Sequence, residues 1–179
     1  MTREAKKKGI ENKVLQRMTD RGLIERVAHG LYVDAKIFPD PFIIAQYRCP
    51  KGVFSHETAL FLHDLSDRDP IKITMTIPSG WNTKLLTDDN IFFFYNNPKK
   101  IRIGICEVET ASGMKVKTYD SERTLCDCLK NIDKLDRDLV LTALKRYIKD
   151  GKRDNVKLLE YASALKIRDM VYRYLEVLV

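Results

Sequence analysis

The sequence predicts an α+β protein in two parts: an N-terminal winged helix-turn-helix short of its first helix, and an α+β body with a roughly four-stranded sheet and a C-terminal helical region. Three observations predict it. Residues 2–33 contain two short helical patterns, each followed by a glycine (Gly9, Gly22), and then a tight hairpin. Between about 70 and 119 the apolar residues recur at period two. From 120 to 179 they recur at helical spacing. The prolines at 39 and 41 put the boundary near 38, giving parts 1–38 and 39–179.

A basic helix ends at Gly9, and a second runs from about Glu11 to Asp20. Ile10, Val14, Leu15 and Met18 make its apolar face. Asn12, Lys13, Gln16 and Arg17 make the opposite one, with groups that bond base edges and phosphates. The hairpin follows over Leu23–Val33, turning at His29-Gly30. Residues 1–33 hold eight Lys/Arg against four Asp/Glu, over half of the net +7 in under a fifth of the 179 residues. A charge run is usually a solvated face. A hairpin directly after the second helix favours double-stranded DNA instead.

Pro41 opens the next helix, assigned to the body. Ser55 caps another, with Thr58 in the capping-box position. His56 and His63, seven apart, lack the spacing of a helical metal pair and are expected to be structural. Ile71, Ile73, Met75 and Ile77 alternate with Lys72, Thr74 and Thr76, a half-buried strand; Ile91–Tyr95 is a continuous, buried one. Residues 102–109 and 114–119 supply the third and fourth, joined at Ser112-Gly113. Asp120 or Ser121 caps the first of the C-terminal helices, which continue over 135–150, 155–166 and 168–179.

The 44% hydrophobic content suffices for a core, and no apolar run is long enough for a membrane helix. The basic N-terminus has no apolar signal segment, and Cys49, Cys106, Cys126 and Cys128 fit no zinc or redox spacing. A cytoplasmic protein with reduced thiols, no cofactor, no metal and no membrane partner is expected.

Four runs, in this order, resemble the AbiEi family of antitoxins and transcriptional regulators from bacterial type IV toxin–antitoxin, or abortive-infection, operons: Arg21 to Tyr32, Ser55 to Leu65, Ile73 to Pro78, and Asp120 to Asp127. The resemblance implies a role in phage defence. It implies an N-terminal winged helix that binds inverted repeats in its own promoter as a repressor. It also implies a body that neutralises a nucleotidyltransferase-like toxin, directly or functionally. The family's DNA-contacting elements fall here on Thr2-Arg3, the second helix and the wing.

The expected interface is therefore Thr2, Arg3, Lys6 and Lys7 on phosphates, Asn12, Lys13, Gln16 and Arg17 in the major groove, Arg21 at the helix end, and Arg26 and His29 from the wing. No catalytic residue is expected. The alternatives are an antitoxin that binds protein alone, its N-terminal part being incomplete, and a metal-dependent nuclease using Glu107, Glu109 and Asp69. The lysine that would complete a nuclease E-x-K is absent, Ala111 standing two residues after Glu109.

Overall fold

Asp40 and Pro41 make a helix start. Pro41 has no N–H to leave unsatisfied, and Asp40 Oδ1 accepts the Phe42 and Ile43 amides at 2.8 and 3.3 Å. The helix they open, Pro41–Arg48, belongs with the residues before it. In the structure, a computed structural model that describes residues 2–83, 86, 90–151 and 153–178, the chain divides into units 1–50 and 51–179. The boundary falls at 50 rather than 38: this helix packs against the hairpin, and Tyr47 donates to the His29 carbonyl at 3.2 Å.

The N-terminal unit comprises α1 (Thr2–Lys7), α2 (Asn12–Asp20), the antiparallel strands β1 (Ile24–Ala28) and β2 (Leu31–Asp34), and α3 (Pro41–Arg48). The helix assigned by sequence to the body is thus the third helix of this unit. Of the expected apolar face of α2, Leu15 is buried, Ile10 and Met18 are half-buried, and Val14 is exposed.

The second unit is a mixed sheet with a helical layer. Among the described residues the sheet has five strands, β3 (Val53–Phe54), β4 (Ile73–Pro78), β5 (Ile91–Asn96), β6 (Ile105–Glu109) and β7 (Lys115–Tyr119), in the order β5-β4-β3-β7-β6. The strand beyond the expected four is β3. Two residues are too few to show a period, yet β3 is central, antiparallel to β4 and parallel to β7.

Burial of β4 and β5 is the reverse of the expectation. β4 is buried on both faces from Ile73 to Ile77. Its threonines go inside because their hydroxyls are bonded: Thr74 Oγ1 donates to the Ser55 carbonyl and accepts the Thr58 amide, and Thr76 Oγ1 donates to Ser55 Oγ at 2.9 Å. Each such bond offsets a desolvation cost of about 1–3 kcal/mol. β5 is an edge strand, with Phe92 and Tyr95 exposed. The same threonine bonds replace the expected capping box. Ser55 stands at the N-cap of α4 (His56–Leu62), but its side chain makes no capping bond.

His56, the first residue of α4, has a left-handed backbone (φ 51°) and a buried ring. Asn131 Nδ2 donates to its Nε2 at 3.2 Å, so Nδ1 carries the proton and donates to Ser55 Oγ at 2.9 Å. The ring stacks on Phe94 with centroids 3.5 Å apart. Burial, and then the charge of Arg123, push its pKa down to about 3.

The remaining helices are α5 (Ser121–Lys130), α6 (Arg137–Lys149), α7 (Asn155–Ala164) and α8 (Arg168–Leu178). Asp120, Asp136 and Asp154 cap α5, α6 and α7 through their side chains. Leu125, Leu129, Leu144, Leu158 and Val171 on these helices form the core with Leu60 of α4. On α5, Arg123 is wholly buried. Its Nε donates to Asp127 at 2.9 Å and its Nη1 to the carbonyls of Lys100 and Ile103 at 2.7 and 2.8 Å. No helix among the described residues is long and apolar enough to cross a membrane.

Two outcomes follow for stability. Asp127→Ala leaves the Arg123 guanidinium buried without its carboxylate, and is expected to cost about 3–5 kcal/mol in urea unfolding. A loss under about 1 kcal/mol would mean that the pair is not held as described. His56 is depressed in the folded chain, so the unfolded chain takes the proton first. Its contribution is complete above the unfolded value of 6.5 and is lost as pH falls toward 3, about 2 kcal/mol by pH 5. Asparagine tolerates positive φ, so His56→Asn should fold and lose stability less steeply between pH 6.5 and 5. Equal steepness in both proteins refutes the assignment.

Candidate nucleic-acid interface

Three elements converge on the hairpin turn. The Thr2 amide and Oγ1 both donate to the Gly30 carbonyl, at 2.9 and 3.0 Å, fastening the start of α1. The Tyr47 hydroxyl donates to the adjacent His29 carbonyl. Gly30 has φ +77°, and a Cβ there would stand 2.9 Å from Tyr47 Oη and 3.1 Å from Thr2 Oγ1. Only glycine combines that backbone with that approach.

Leu15 anchors α2, and Thr19 Oγ1 bonds back to the Leu15 carbonyl at 2.9 Å. This turns Asn12, Lys13, Gln16 and Arg17 outward, and all four are exposed. They stand at i, i+1, i+4 and i+5, one face of the helix. Gln16 Nε2 donates to Asp20 Oδ1 at 3.0 Å, which orients the amide while leaving its oxygen available. Arg21, just past α2, is exposed too.

In the hairpin Arg26 lies opposite Tyr32, and the register shifts between Arg26 and Ala28. Such a bulge adds local twist. Arg26 Nη2 lies 2.9 Å from His29 Nδ1. A guanidinium can only donate, so Nδ1 accepts and Nε2 carries the imidazole proton. Both side chains are exposed at the tip.

Of the expected residues, Asn12, Lys13, Gln16 and Arg17 share one exposed face, and Arg26 and His29 form one bonded pair. Lys6 and Lys7 are exposed in the last turn of α1. Thr2 spends its hydroxyl and amide on the turn. The Arg3 side chain lies outside the described residues. The structural part of Tyr47 was missed, since nothing local relates it to a turn 18 residues earlier. Residues 1–50 carry ten Lys/Arg and six Asp/Glu, against 22 and 19 in the remainder. The basic excess per residue is therefore greater in the unit with this face.

The other candidates are placed as follows. Glu107 and Glu109 on β6 stand directly opposite Lys117 and Lys115 on β7, a cross-strand charge pairing. Asp69 is exposed, outside helix, strand and turn. Among the described residues no three His, Cys, Asp or Glu side chains group as a metal site. His63 Nε2 lies 2.6 Å from the Tyr119 carbonyl, so it donates there. None of the four cysteines is in a disulfide, and Cys49, Cys126 and Cys128 are buried. Burial, first, and the Asp120 carboxylate push the half-buried Cys106 thiol up to about 11, the opposite of an activated nucleophile.

No protein-family model matches the chain, and no curated protein does.

Gly30→Ala is expected to destabilise the hairpin by about 1–3 kcal/mol, through left-handed strain and the approach to Tyr47 and Thr2. Amide exchange should quicken in 24–34 and stay unchanged in 121–130. Faster exchange in both segments would mean that the two units do not unfold independently.

Proposed function

We propose that this chain is an antitoxin and a DNA-binding transcriptional autorepressor. In this reading residues 1–50 act as a winged helix-turn-helix on inverted repeats in the chain's own promoter. The body, residues 51–179, neutralises a nucleotidyltransferase-like toxin, directly or functionally. The observation that carries the DNA part is the exposed face of α2, Asn12, Lys13, Gln16 and Arg17, in the same unit as a hairpin bearing the Arg26–His29 pair. α2 is long enough to lie in a major groove, and its exposed side chains are those that bond guanine, adenine and phosphate. Arg26 and His29 suit the adjacent backbone or minor groove. α3 gives the unit a third helix, placed after the hairpin rather than before α1. The toxin part rests on the resemblance of the four sequence runs, two of which form α4 and α5.

The test is a band-shift titration of the full-length protein on its own promoter and on scrambled DNA at several salt concentrations. Promoter binding should be tighter, with a log–log salt slope of about −0.9 for each phosphate neutralised. Arg17→Ala should weaken promoter binding by about 5- to 150-fold and narrow the preference over scrambled DNA. Lys7→Ala should weaken both DNAs alike and reduce the slope by about one. Equal affinity for the two DNAs would sink the repressor reading. Co-expression with the product of the adjacent gene tests the toxin part: growth restored by this chain supports it, and growth not restored removes it.

A further inference from the structure

An open cavity of about 260 Å³ lies on the body where β4 and β5 begin. None of its lining residues belongs to residues 1–50, and none has a role in the reading above. Its apolar lining is Ile71, Phe92, Phe94 and Leu135. Ile71 is 93% exposed and Phe92 49%. Single exposed apolar side chains are ordinary, but these line one concavity together.

The two aromatic rings form a fixed corner. Phe92 meets Phe94 edge-on, with centroids 5.0 Å apart and planes at 69°. Phe94 is backed by the His56 ring, stacked at 3.5 Å and 14°. His56 is itself held by Ser55 and Asn131. A ring wall braced this way is pre-organised for another flat ring. The volume sits just under the roughly 300–1,000 Å³ of drug-sized sites, room for one ring system against that wall.

The polar groups narrow the class. Glu57 lines the cavity and is half-buried; desolvation raises its pKa, and its carboxylate takes the backbone N–H of Asp136. A carboxylate has about four acceptor sites, so capacity remains for N–H groups of a ligand. Lys72 and Lys134 line the same cavity and are exposed, supplying cations for an anionic group. A free inorganic anion would use the lysines but neither ring nor Glu57. A neutral hydrocarbon would use the rings but leave the remaining acceptor capacity of Glu57 unused.

We propose that this cavity binds a mononucleotide, its base against Phe92 and Phe94, an N–H of the base on Glu57, and its phosphate beside Lys72 and Lys134. The site is independent of the DNA-binding face, so failure of either reading leaves the other standing.

The test is calorimetric titration of the full-length protein at low salt with GMP, AMP, CMP and UMP, and with inorganic phosphate and a single-stranded DNA hexamer as comparisons. At least one mononucleotide should bind saturably with Kd of about 1 mM or tighter, and inorganic phosphate at least about tenfold more weakly. Phe92→Ala should weaken that mononucleotide about tenfold or more, as loss of a base–ring stack does. Lys72→Glu should weaken it and flatten its salt dependence. Glu57→Gln, which exchanges an acceptor for an amide, should change the order of preference among the four bases. Lys72 is a surface side chain, so its variant tests the site even where Phe92→Ala unfolds, as thermal melts would reveal. The proposal is overturned by no saturable binding of any mononucleotide up to about 10 mM, by unchanged affinity in both Phe92→Ala and Lys72→Glu, or by binding of the hexamer alone.

Discussion

A guanidinium removed from water needs acceptors in fixed places, and Arg123 has three of them at Nε and Nη1, its buried Nη2 having none among the described residues. Asp127 lies one turn along α5, and the Lys100 and Ile103 carbonyls come from the segment that leads into β6. The Tyr119 ring at the end of β7 lies under the group, 4.3 Å from the guanidinium carbon. A buried ion pair is weak evidence of net stability, because desolvation consumes most of the attraction. Its effect here is positional. Three acceptors and one ring are satisfied together by a single placement of α5 against the sheet. Gly104 shows how close that placement is: a Cβ there would fall 2.6 Å from Arg123 Cβ, and its φ of +76° already requires glycine.

A polar belt continues from the same helix end. Asp120, the N-cap of α5, also pairs with Lys157 Nζ at 2.9 Å and accepts from Tyr161 Oη at 3.2 Å. Glu122 accepts from Tyr147 Oη at 2.9 Å, and that hydroxyl takes the Asp154 amide at 2.8 Å. Thus the start of α5 is tied to α6 and α7 by directional bonds, while Leu125 and Leu129 supply the apolar contacts. The bonds set orientation and the leucines supply most of the favourable burial energy.

Much of this architecture was legible because it depends on neighbours in sequence. The caps at Asp120 and the turn at His29-Gly30 are local chemistry, and the α2 face of Asn12, Lys13, Gln16 and Arg17 follows from helical spacing. What was misread depends on distant partners. Thr74 and Thr76 have the alternation of a half-buried strand. They are buried because Ser55 and Thr58 supply acceptors and donors from 16 to 21 residues away. Ile91–Tyr95 has the composition of a central strand, yet β4 is its neighbour on one side and it ends the sheet. Val53–Phe54 has no period to detect. The helix after Pro41 was found, but its allegiance rests on contacts with the hairpin that are distant in sequence, the Tyr47 hydroxyl on His29 among them.

The same distinction separates the two candidate sites. A groove-binding face needs only exposed donors at helical intervals, so a sequence displays it. A cavity is assembled by the fold. Glu57 and Phe92 are 35 positions apart, and Lys134 lies 42 further on. What joins the cavity to the interior is His56. Its left-handed backbone carries strain of about 1–3 kcal/mol, and a buried imidazole that must stay neutral adds a desolvation cost. A phenylalanine or leucine would fill the same space without needing Ser55 and Asn131 as partners. The histidine does what those residues would not: two bonds fix its ring plane, and the stack transfers that fixed plane to Phe94 at the cavity wall. Strain and buried polarity at the head of α4 are therefore best understood through the surface they hold in place, rather than through the core they occupy.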